Sequence, residues 1–187
     1  QRSTNRAVDH TRDLFLVDQQ NQPVKVFFHT VCGGKTESNQ NAFFSSPQKH
    51  LQGSSDFIEL PKLDLSKDIN VQAHLKNRTK TTYCHANRFS NAEKWNWTSE
   101  LDHKKLTELQ KRLGFKNKIQ KIWVSKRGRS GRAIRLKIQA GNQSQTIQGE
   151  LKIRRALGKI RSSLMNLTPF YQDGTLVTLR IEGRGYG

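Results

Sequence analysis

The sequence predicts a single α+β domain over residues 1–187, mainly an antiparallel sheet with a few short helices and long irregular loops. A chain of 187 residues is about the length of one domain. Apolar and basic residues alternate over residues 133–138, which indicates a strand with one buried and one cationic face. Gly141-Asn142 follows directly and is typical of a hairpin turn. Strands joined by such short turns pair antiparallel.

The first third of the chain is expected to contain one hairpin and much loop. Residues 13–18 and 24–28 are predicted as two strands joined by the polar turn 19–23, and the apolar run Val24 to Phe28 is expected to be buried. Residues 37–56 are rich in Ser, Asn, Gln and Gly and are predicted as loop. Leu60-Pro61 should prevent a helix from continuing there.

The remaining elements follow from helical and strand periodicity. Asp102 is a good helix N-cap, and leucines then recur at helical spacing up to Gly114, which should end the helix. Strands are expected from Ile119 onward, with a short helix between residues 149 and 158. In the final strand, residues 176–181, strict alternation would place Leu176 on the opposite face from Leu179.

Charge restricts the class of partner. The chain has 33 Lys and Arg against 15 Asp and Glu, a formal charge of +18, and its calculated pI is about 10.4. Such a field favours a polyanion, for which nucleic acid, an anionic cell-wall glycan and an anionic membrane surface all qualify. No apolar run approaches the roughly 20 residues of a membrane span.

The segment with the most chemistry is residues 29–36, here called the histidine turn. It follows the apolar run and contains His29, Cys32 and the pair Gly33-Gly34. Adjacent glycines allow positive φ and a close approach of a ligand to the main chain. The pattern is compatible with a wall of a binding site and equally with a tight hairpin turn.

Two Cys and two His form a complete ligand set for tetrahedral zinc: His29, Cys32, Cys84 and His85. Adjacent residues in an extended chain point to opposite faces, so three ligands plus water is an alternative. A Cys32–Cys84 disulfide and free thiols are further alternatives. A nucleophilic Cys32 with His29 as base is the least favoured, because only Glu37 offers a nearby carboxylate.

Two other features have either a binding role or a purely structural one. Trp95 and Trp97 either offer a stacking platform or anchor the core, and the second is favoured. Residues 183–187, with glycine at alternate positions, indicate backbone that is flexible or closely approached.

Taken in order, these elements resemble the stage II sporulation protein D / amidase-enhancer family, whose best-characterised members are peptidoglycan lytic transglycosylases. The histidine turn with the preceding Phe28 is similar to that family's aromatic-His segment followed by Gly-Gly-x-Thr. Further similar segments are Leu14 to Val17 with Pro23-Val24, Cys84 with the later Trp97, Ser130-Gly131-Arg132, Gly149 with Arg154 to Gly158, Ser162-Ser163, and the closing glycine run. The match is poor over residues 45–83.

The resemblance implies cleavage of peptidoglycan strands from which the stem peptides have been removed. Such strands are polyanions, because peptide removal frees a lactyl carboxylate on each muramic acid, and their location implies the extracytoplasmic cell envelope. The family's catalytic glutamate lies upstream of its histidine turn, so we expect the general acid upstream of Gln1. The closing motif is also cut at Gly187, so these residues alone are expected to lack lytic activity.

The substrate-binding residues expected from the resemblance and the turn are His29, Thr30, Gly33, Gly34, Lys35, Thr36, Arg154 and Arg184, with the two glycine amides donating to substrate oxygens. No cofactor is required for this chemistry, and zinc would be structural. A cell-wall amidase is a further expected partner. The alternatives are a non-catalytic glycan-binding or amidase-activating module and a nucleic-acid-binding domain, although the sequence has no recognition-helix, zinc-knuckle or RNP pattern.

Overall fold

The computed structural model describes residues 2–57, 63–77, 82–86 and 92–187, and within them it has the predicted α+β fold. The helices are α1 (Arg2–His10), α2 (Asn39–Phe43), α3 (Asp68–Lys76), α4 (Tyr83–Ala86), α5 (Ala92–Trp95), α6 (His103–Arg112) and α7 (Glu150–Ala156), with one 3-10 turn, Lys49–Leu51. The strands are β1 (Asn96–Leu101), β2 (Lys121–Arg127), β3 (Ala133–Ala140), β4 (Gln143–Gln148), β5 (Met165–Gln172) and β6 (Thr175–Arg184). The helix stop expected at Leu60-Pro61 lies outside these residues. None of the described helices is long and apolar enough to cross a membrane.

The strands form two antiparallel sheets of three strands each. One has the order β1–β6–β5 and the other the order β2–β3–β4. The predicted alternation in β3 is confirmed, because Ile134, Leu136 and Ile138 are buried while Arg135 and Lys137 are exposed. The turn Gly141-Asn142 joins β3 to β4, as predicted.

The main core lies between the inner faces of the sheets and is closed by α6 and α7. Leu106 and Leu109 of α6 and Ile153 of α7 are buried in it. Burial of each such side chain contributes about 1.5–3 kcal/mol. The predicted N-cap is confirmed, since the Asp102 carboxylate accepts a hydrogen bond from the Lys105 amide at 2.8 Å.

The final strand departs from strict alternation. Phe170 of β5 pairs with Thr178, whereas the next residue, Tyr171, pairs with Leu176. Val177 is therefore an extra residue on β6, a β-bulge, which reverses the side-chain alternation. As a result Leu176 is buried in the same core as Leu179, and the prediction that they lie on opposite faces was wrong.

The expected N-terminal hairpin is present only in part. Val17 and Pro23 form an isolated bridge, and the Val24 amide donates to the Leu16 carbonyl at 3.0 Å. The prediction of a buried strand over Val24 to Phe28 was wrong, because this stretch is not a strand and Phe28 is fully exposed. The described residues offer it no strand to continue the ladder. Residues 2–10, for which the sequence suggested no helix, form α1.

Candidate functional site

The histidine turn depends on its two glycines. Gly33 has φ +75° and Gly34 has φ +106°, a region that side-chain-bearing residues rarely adopt. A Cβ on Gly34 would also lie 2.9 Å from the Phe57 ring. The pair forms a tight turn, but not a hairpin, because Val31 bridges Tyr186 and Lys35 bridges Ser55.

A buried arginine holds the turn from one side. The guanidinium of Arg132 donates to the Cys32 carbonyl at 2.7 Å and to the Lys35 carbonyl at 2.6 Å. Only about 9% of Arg132 is exposed, and its carbonyl partners provide the polar contacts that a buried cation requires. Arg132, the last residue of the Ser130-Gly131-Arg132 motif, therefore fixes the backbone of the histidine turn.

The two glycine carbonyls are held from the other side. Nε2 of the buried His74 lies 2.9 Å from the Gly33 oxygen, and the Asp56 amide donates to the Gly34 oxygen at 2.9 Å. Burial lowers the pKa of His74 to about 4, and the nearby Arg184 charge adds to the effect. The imidazole is therefore neutral at pH 7 and donates to Gly33. The Gly34 amide, expected to donate to substrate, lies 3.3 Å from Cys32 Sγ instead.

The closing glycine run packs directly against the turn. Tyr186 and Val31 exchange backbone hydrogen bonds at 2.8 and 2.9 Å. A Cβ on Gly185 would lie 2.9 Å from the Val31 carbonyl, so the close approach requires glycine there. Trp97 covers Gly183 and donates its indole N–H to the Gly185 carbonyl at 2.9 Å.

Trp95 and Trp97 are both buried, which confirms that they are structural anchors rather than an exposed platform. Arg184 has its guanidinium about 5.0 Å from the Trp95 ring and is about 2% exposed. Its side chain donates to Asn96 Oδ1 at 3.0 Å and to the Asn77 carbonyl at 2.6 Å. Burial lowers its pKa to about 10. Arg184 therefore supports the fold beneath the turn.

The turn brings together a set of atoms that could hold a metal ion. His29, Cys32 and Cys84 offer ligand atoms that all lie within 4.8 Å of one another. The two Sγ atoms are 3.3 Å apart, which is too long for a disulfide bond. In a tetrahedral zinc site with Zn–S bonds of about 2.3 Å, two sulfurs are separated by roughly 3.8 Å, so small shifts would seat an ion.

The surroundings of these three residues suit ligation better than nucleophilic catalysis. Burial raises the pKa of the Cys32 thiol, which disfavours a free thiolate. Burial, and next the Arg132 charge, lower the pKa of His29, while Asp56 opposes the shift, so the imidazole is neutral and able to bind a metal. Cys84 lies in the short helix α4, where its amide donates to Asp56 Oδ2 at 2.9 Å. The side chain of His85, the fourth predicted ligand, lies outside the described residues.

Next to the turn lies an open cleft of about 450 Å³. Its walls come from the histidine turn, the following segment to residue 54, and α7. That segment was predicted as loop but contains α2 and the 3-10 turn. The residues that line it are Phe27, Phe28, His29, Thr36, Glu37, Asn39, Ala42, Phe43, His50, Leu51, Gln52, Gly53, Ser54, Arg132, Glu150, Leu151, Arg154, Ser162 and Gly187.

The cleft gathers some of the predicted substrate-binding residues and omits others. His29, Thr36 and Arg154 line it. Thr30, Gly33, Gly34, Lys35 and Arg184 do not. Lys35 lies in an isolated bridge with Ser55, and Thr30 donates its amide to the Tyr186 carbonyl at 3.0 Å.

Glu37 is a cleft residue that the sequence did not identify as a binding residue. Its carboxylate accepts from the Ser130 hydroxyl at 2.6 Å, the Ser130 amide at 3.1 Å and Asn41 Nδ2 at 3.0 Å. Burial alone would raise the pKa of Glu37, but these hydrogen bonds outweigh it and lower the pKa. Glu37 is therefore ionised and engaged by these donors, and among the described residues it forms no hydrogen bond with His29 of the kind that orients a catalytic base.

Arg132 and Glu150 are two further charged cleft residues that the sequence did not identify as binding residues. The Glu150 carboxylate lies 4.0 Å from both Arg132 Nε and Arg154 Nη1. The i,i+4 spacing of Glu150 and Arg154 on one helix was a signal that could have placed both on one face. Arg154 also donates Nε to the Ile160 carbonyl at 3.0 Å and Nη1 to the Gly187 carbonyl, and its Nη2 has no partner among the described residues.

One wall of the cleft is aromatic. The rings of Phe27 and Phe43 stack with centroids 4.4 Å apart, and about half of each side chain is exposed. The fully exposed Phe28 and the half-exposed Leu151 extend this apolar surface. The cleft thus combines an apolar face with two arginines, two glutamates and hydroxyl groups.

The charges of the cleft nearly balance. Arg132 and Arg154 face Glu37 and Glu150, while His29 is neutral. The cleft beside His29 therefore does not contain the excess positive charge of the chain.

Comparison with known proteins identifies a family whose description assigns no function. No curated protein and no solved structure matches the sequence. A family profile described as "Domain of unknown function (DUF8618)" matches residues 37–187, which include the cleft residues from Glu37 to Gly187 but not His29 or Cys32. Because that match covers most of the sequence, the chain belongs to this family, DUF8618.

Proposed function

We propose that this chain binds peptide-stripped peptidoglycan strands in the cleft, as part of a lytic transglycosylase of the extracytoplasmic cell envelope. The observation that carries the proposal is one open cleft that is lined both by an apolar surface and by two arginines. A muramic acid residue presents the complementary pair of surfaces, an apolar sugar face and a carboxylate.

The aromatic wall supports recognition of a sugar. The stacked rings of Phe27 and Phe43 form a flat apolar surface, and the C–H faces of a pyranose ring pack against surfaces of this kind. Ser54 lines the same cleft, and its hydroxyl is suited to hydrogen bonds with sugar hydroxyls, whereas the Thr36 hydroxyl is engaged by the Ser54 backbone. Sites with mainly apolar walls and a few polar groups commonly bind small ligands or single units of a polymer.

The carboxylate would bind at Arg154. Its Nη2 is available, and the side chain is already positioned by the Ile160 and Gly187 carbonyls. Arg132 cannot move toward a ligand without breaking its hydrogen bonds to the histidine turn. It therefore attracts the carboxylate through its electrostatic field rather than through a direct contact. A preordered guanidinium loses little side-chain entropy on binding a carboxylate.

The cleft as described supports binding and positioning rather than proton donation. A general acid needs a raised pKa, usually from an apolar setting. The pKa of Glu37 is lowered, and Glu150 lies between two guanidiniums. We therefore expect residues 1–187 to bind the glycan without releasing anhydro-muramic products, and such products would contradict this assignment of roles.

The test compares binding of purified residues 1–187 to peptide-stripped strands and to strands whose lactyl groups still carry peptides. We expect preference for the stripped strands, with affinity that falls as salt rises. Arg154→Gln should weaken binding about ten- to a hundredfold, the usual effect of losing a charge-assisted hydrogen bond. Arg155→Gln is the matched control, because Arg155 is exposed on the same helix and does not line the cleft.

Equal binding of both glycans, or equal effects of Arg154→Gln and Arg155→Gln, would refute the proposal. A non-catalytic glycan-binding or amidase-activating module is the alternative. It predicts the same binding, together with stimulation of a cell-wall amidase that the Arg154 variant fails to provide.

We further propose that His29, Cys32 and Cys84 bind a structural zinc ion, with a fourth ligand that is water or His85. One imidazole and two thiolates are a ligand set that zinc prefers, and ligation would stabilise the turn that these residues share. Elemental analysis of protein purified without chelator should find about one zinc per chain. Absence of zinc together with loss of both free thiols would instead identify a Cys32–Cys84 disulfide.

A further inference from the structure

The cleft leaves most of the chain's positive charge unexplained. The outer face of the sheet β2–β3–β4 carries uncompensated cations, whereas the cleft charges balance. These three strands contain five Lys and Arg and no Asp or Glu. On the outer face, Lys126 pairs with Arg135 across the strands, and Lys137 lies two residues further along β3. None of these three cations forms an ion pair within the described part of the chain.

The outer face has the shape and chemistry of a binding surface. A shallow groove crosses it, lined by Ser125, Lys126, Arg135, Lys137, Thr146 and Gln148. The register explains this grouping, because Lys137 pairs with Thr146 on β4 and Arg135 pairs with Gln148. The inner faces of the same strands are packed in the core, so the groove is held on a rigid support.

We infer that this outer face is a second binding surface for the same carboxylated glycan strand, an inference that rests on the proposed function. Three cations in a row suit a polymer with repeated carboxylates, and the hydroxyl and amide groups between them suit sugar hydroxyls. A single aromatic side chain, Trp123, lies on this face, with Lys121 Nζ 5.1 Å from its ring. Single-stranded nucleic acid is bound by several successive aromatic platforms, so the glycan is the favoured occupant.

The cleft and the outer face are close along the chain. Arg132 lines the cleft and stands just before β3, and Arg135 is three residues further along the same chain. An extended chain of that length spans at most about 11 Å. Simultaneous contact converts the second binding event into an intramolecular one and raises the affinity for long strands.

The experiment measures binding of short and long peptide-stripped strands to three proteins of known stability. They are the wild type, the sheet variant Lys126→Gln/Arg135→Gln/Lys137→Gln, and a control variant Lys104→Gln/Lys111→Gln/Lys118→Gln. Both variants lose the same charge at exposed positions. We expect the sheet variant to lose about ten- to a hundredfold in affinity for long strands and to keep its affinity for short ones, with a shallower salt dependence than the control variant.

Equal affinities of the sheet and control variants for long strands would overturn the inference and leave the proposed function intact. Failure of the wild type to bind either length would overturn both. Tighter binding of single-stranded DNA than of long glycan at matched salt, lost in the sheet variant, would show that the occupant is a nucleic acid. Thr146→Glu tests the same face without removing a cation and should also weaken the binding of long strands.

Discussion

The burial of His74 makes this protein less stable in mild acid than at neutral pH. Its pKa is held at about 4 against an ordinary value of 6.5, first by burial and then by the Arg184 charge. Above pH 6.5 the imidazole is neutral in both the folded and the unfolded protein. As the pH falls from 6.5 toward 4, the unfolded chain takes up a proton that the folded chain does not. The free energy of unfolding therefore decreases, by about 3 kcal/mol at pH 4.

The assay is urea unfolding followed by tryptophan fluorescence at a series of pH values from 4.5 to 7.5. Wild-type protein should lose about 2–3 kcal/mol over this range from His74. His74→Gln keeps a donor for the Gly33 carbonyl and cannot titrate, so its free energy of unfolding should change much less. His103→Gln is the control, because His103 is an exposed residue of α6.

His29, whose pKa is also lowered, contributes in the same direction in all three proteins. It therefore cancels in the comparison of variants. Parallel pH profiles for wild type and His74→Gln would refute the reasoning, since they would mean that the imidazole is not held neutral beneath the turn.

Three further predictions concern packing and hydrogen bonding. Glu37→Gln removes the carboxylate that accepts from Ser130 and should lower the free energy of unfolding by about 1–3 kcal/mol. The pKa of Glu37 is lowered in the folded state, so wild type loses stability when this carboxylate is protonated. The variant should therefore lose less stability than wild type as the pH falls below about 4. Gly183→Ala would place a Cβ about 2.1 Å from the Trp97 ring and should cost about 2–3 kcal/mol, measured by the same unfolding assay, whereas an unchanged midpoint would contradict the described packing. Asp102→Ala removes the cap of α6 and should cost about 1 kcal/mol, with no effect on glycan binding.

Local patterns predicted the second half of the chain well. The alternation in β3, the turn at Gly141 and the cap at Asp102 each depend on neighbours a few residues away, so sequence periodicity is enough to find them. The bulge at Val177 was missed because it is defined only by the register with β5. A one-residue change in register moves the following side chains to the other face, and no single strand reveals it.

The prediction of a buried strand in the N-terminal stretch was wrong for a different reason. The run Val24 to Phe28 has the composition of a buried strand, but a strand is buried only when another strand pairs with it. Among the described residues, strand pairing stops at Val24. Its Phe27 ring instead stacks on Phe43 at the cleft wall. Composition alone does not distinguish an apolar residue that packs in a core from one that lines a binding cleft.

The candidate site was predictable where residue type alone identifies its parts. The chain has only two cysteines, so Cys84 was predicted to join His29 and Cys32 although it lies more than fifty residues later in a helix. Arg132 belongs to the Ser130-Gly131-Arg132 motif, yet its hydrogen bonds to Cys32 and Lys35 join residues about a hundred positions apart. Such contacts follow from tertiary packing and have no local periodicity.

The backbone of the histidine turn explains why a buried arginine and a buried imidazole pack against it. A turn with two positive-φ glycines directs its carbonyl oxygens in several directions, and each buried oxygen requires a donor. Arg132 satisfies the oxygens of Cys32 and Lys35, while His74 satisfies that of Gly33. Since all three oxygens are fixed by buried donors, Cys32 is held in place before any ligand arrives. Positioning of this kind lowers the entropy lost on binding, which is the property that both a metal site and a glycan cleft require.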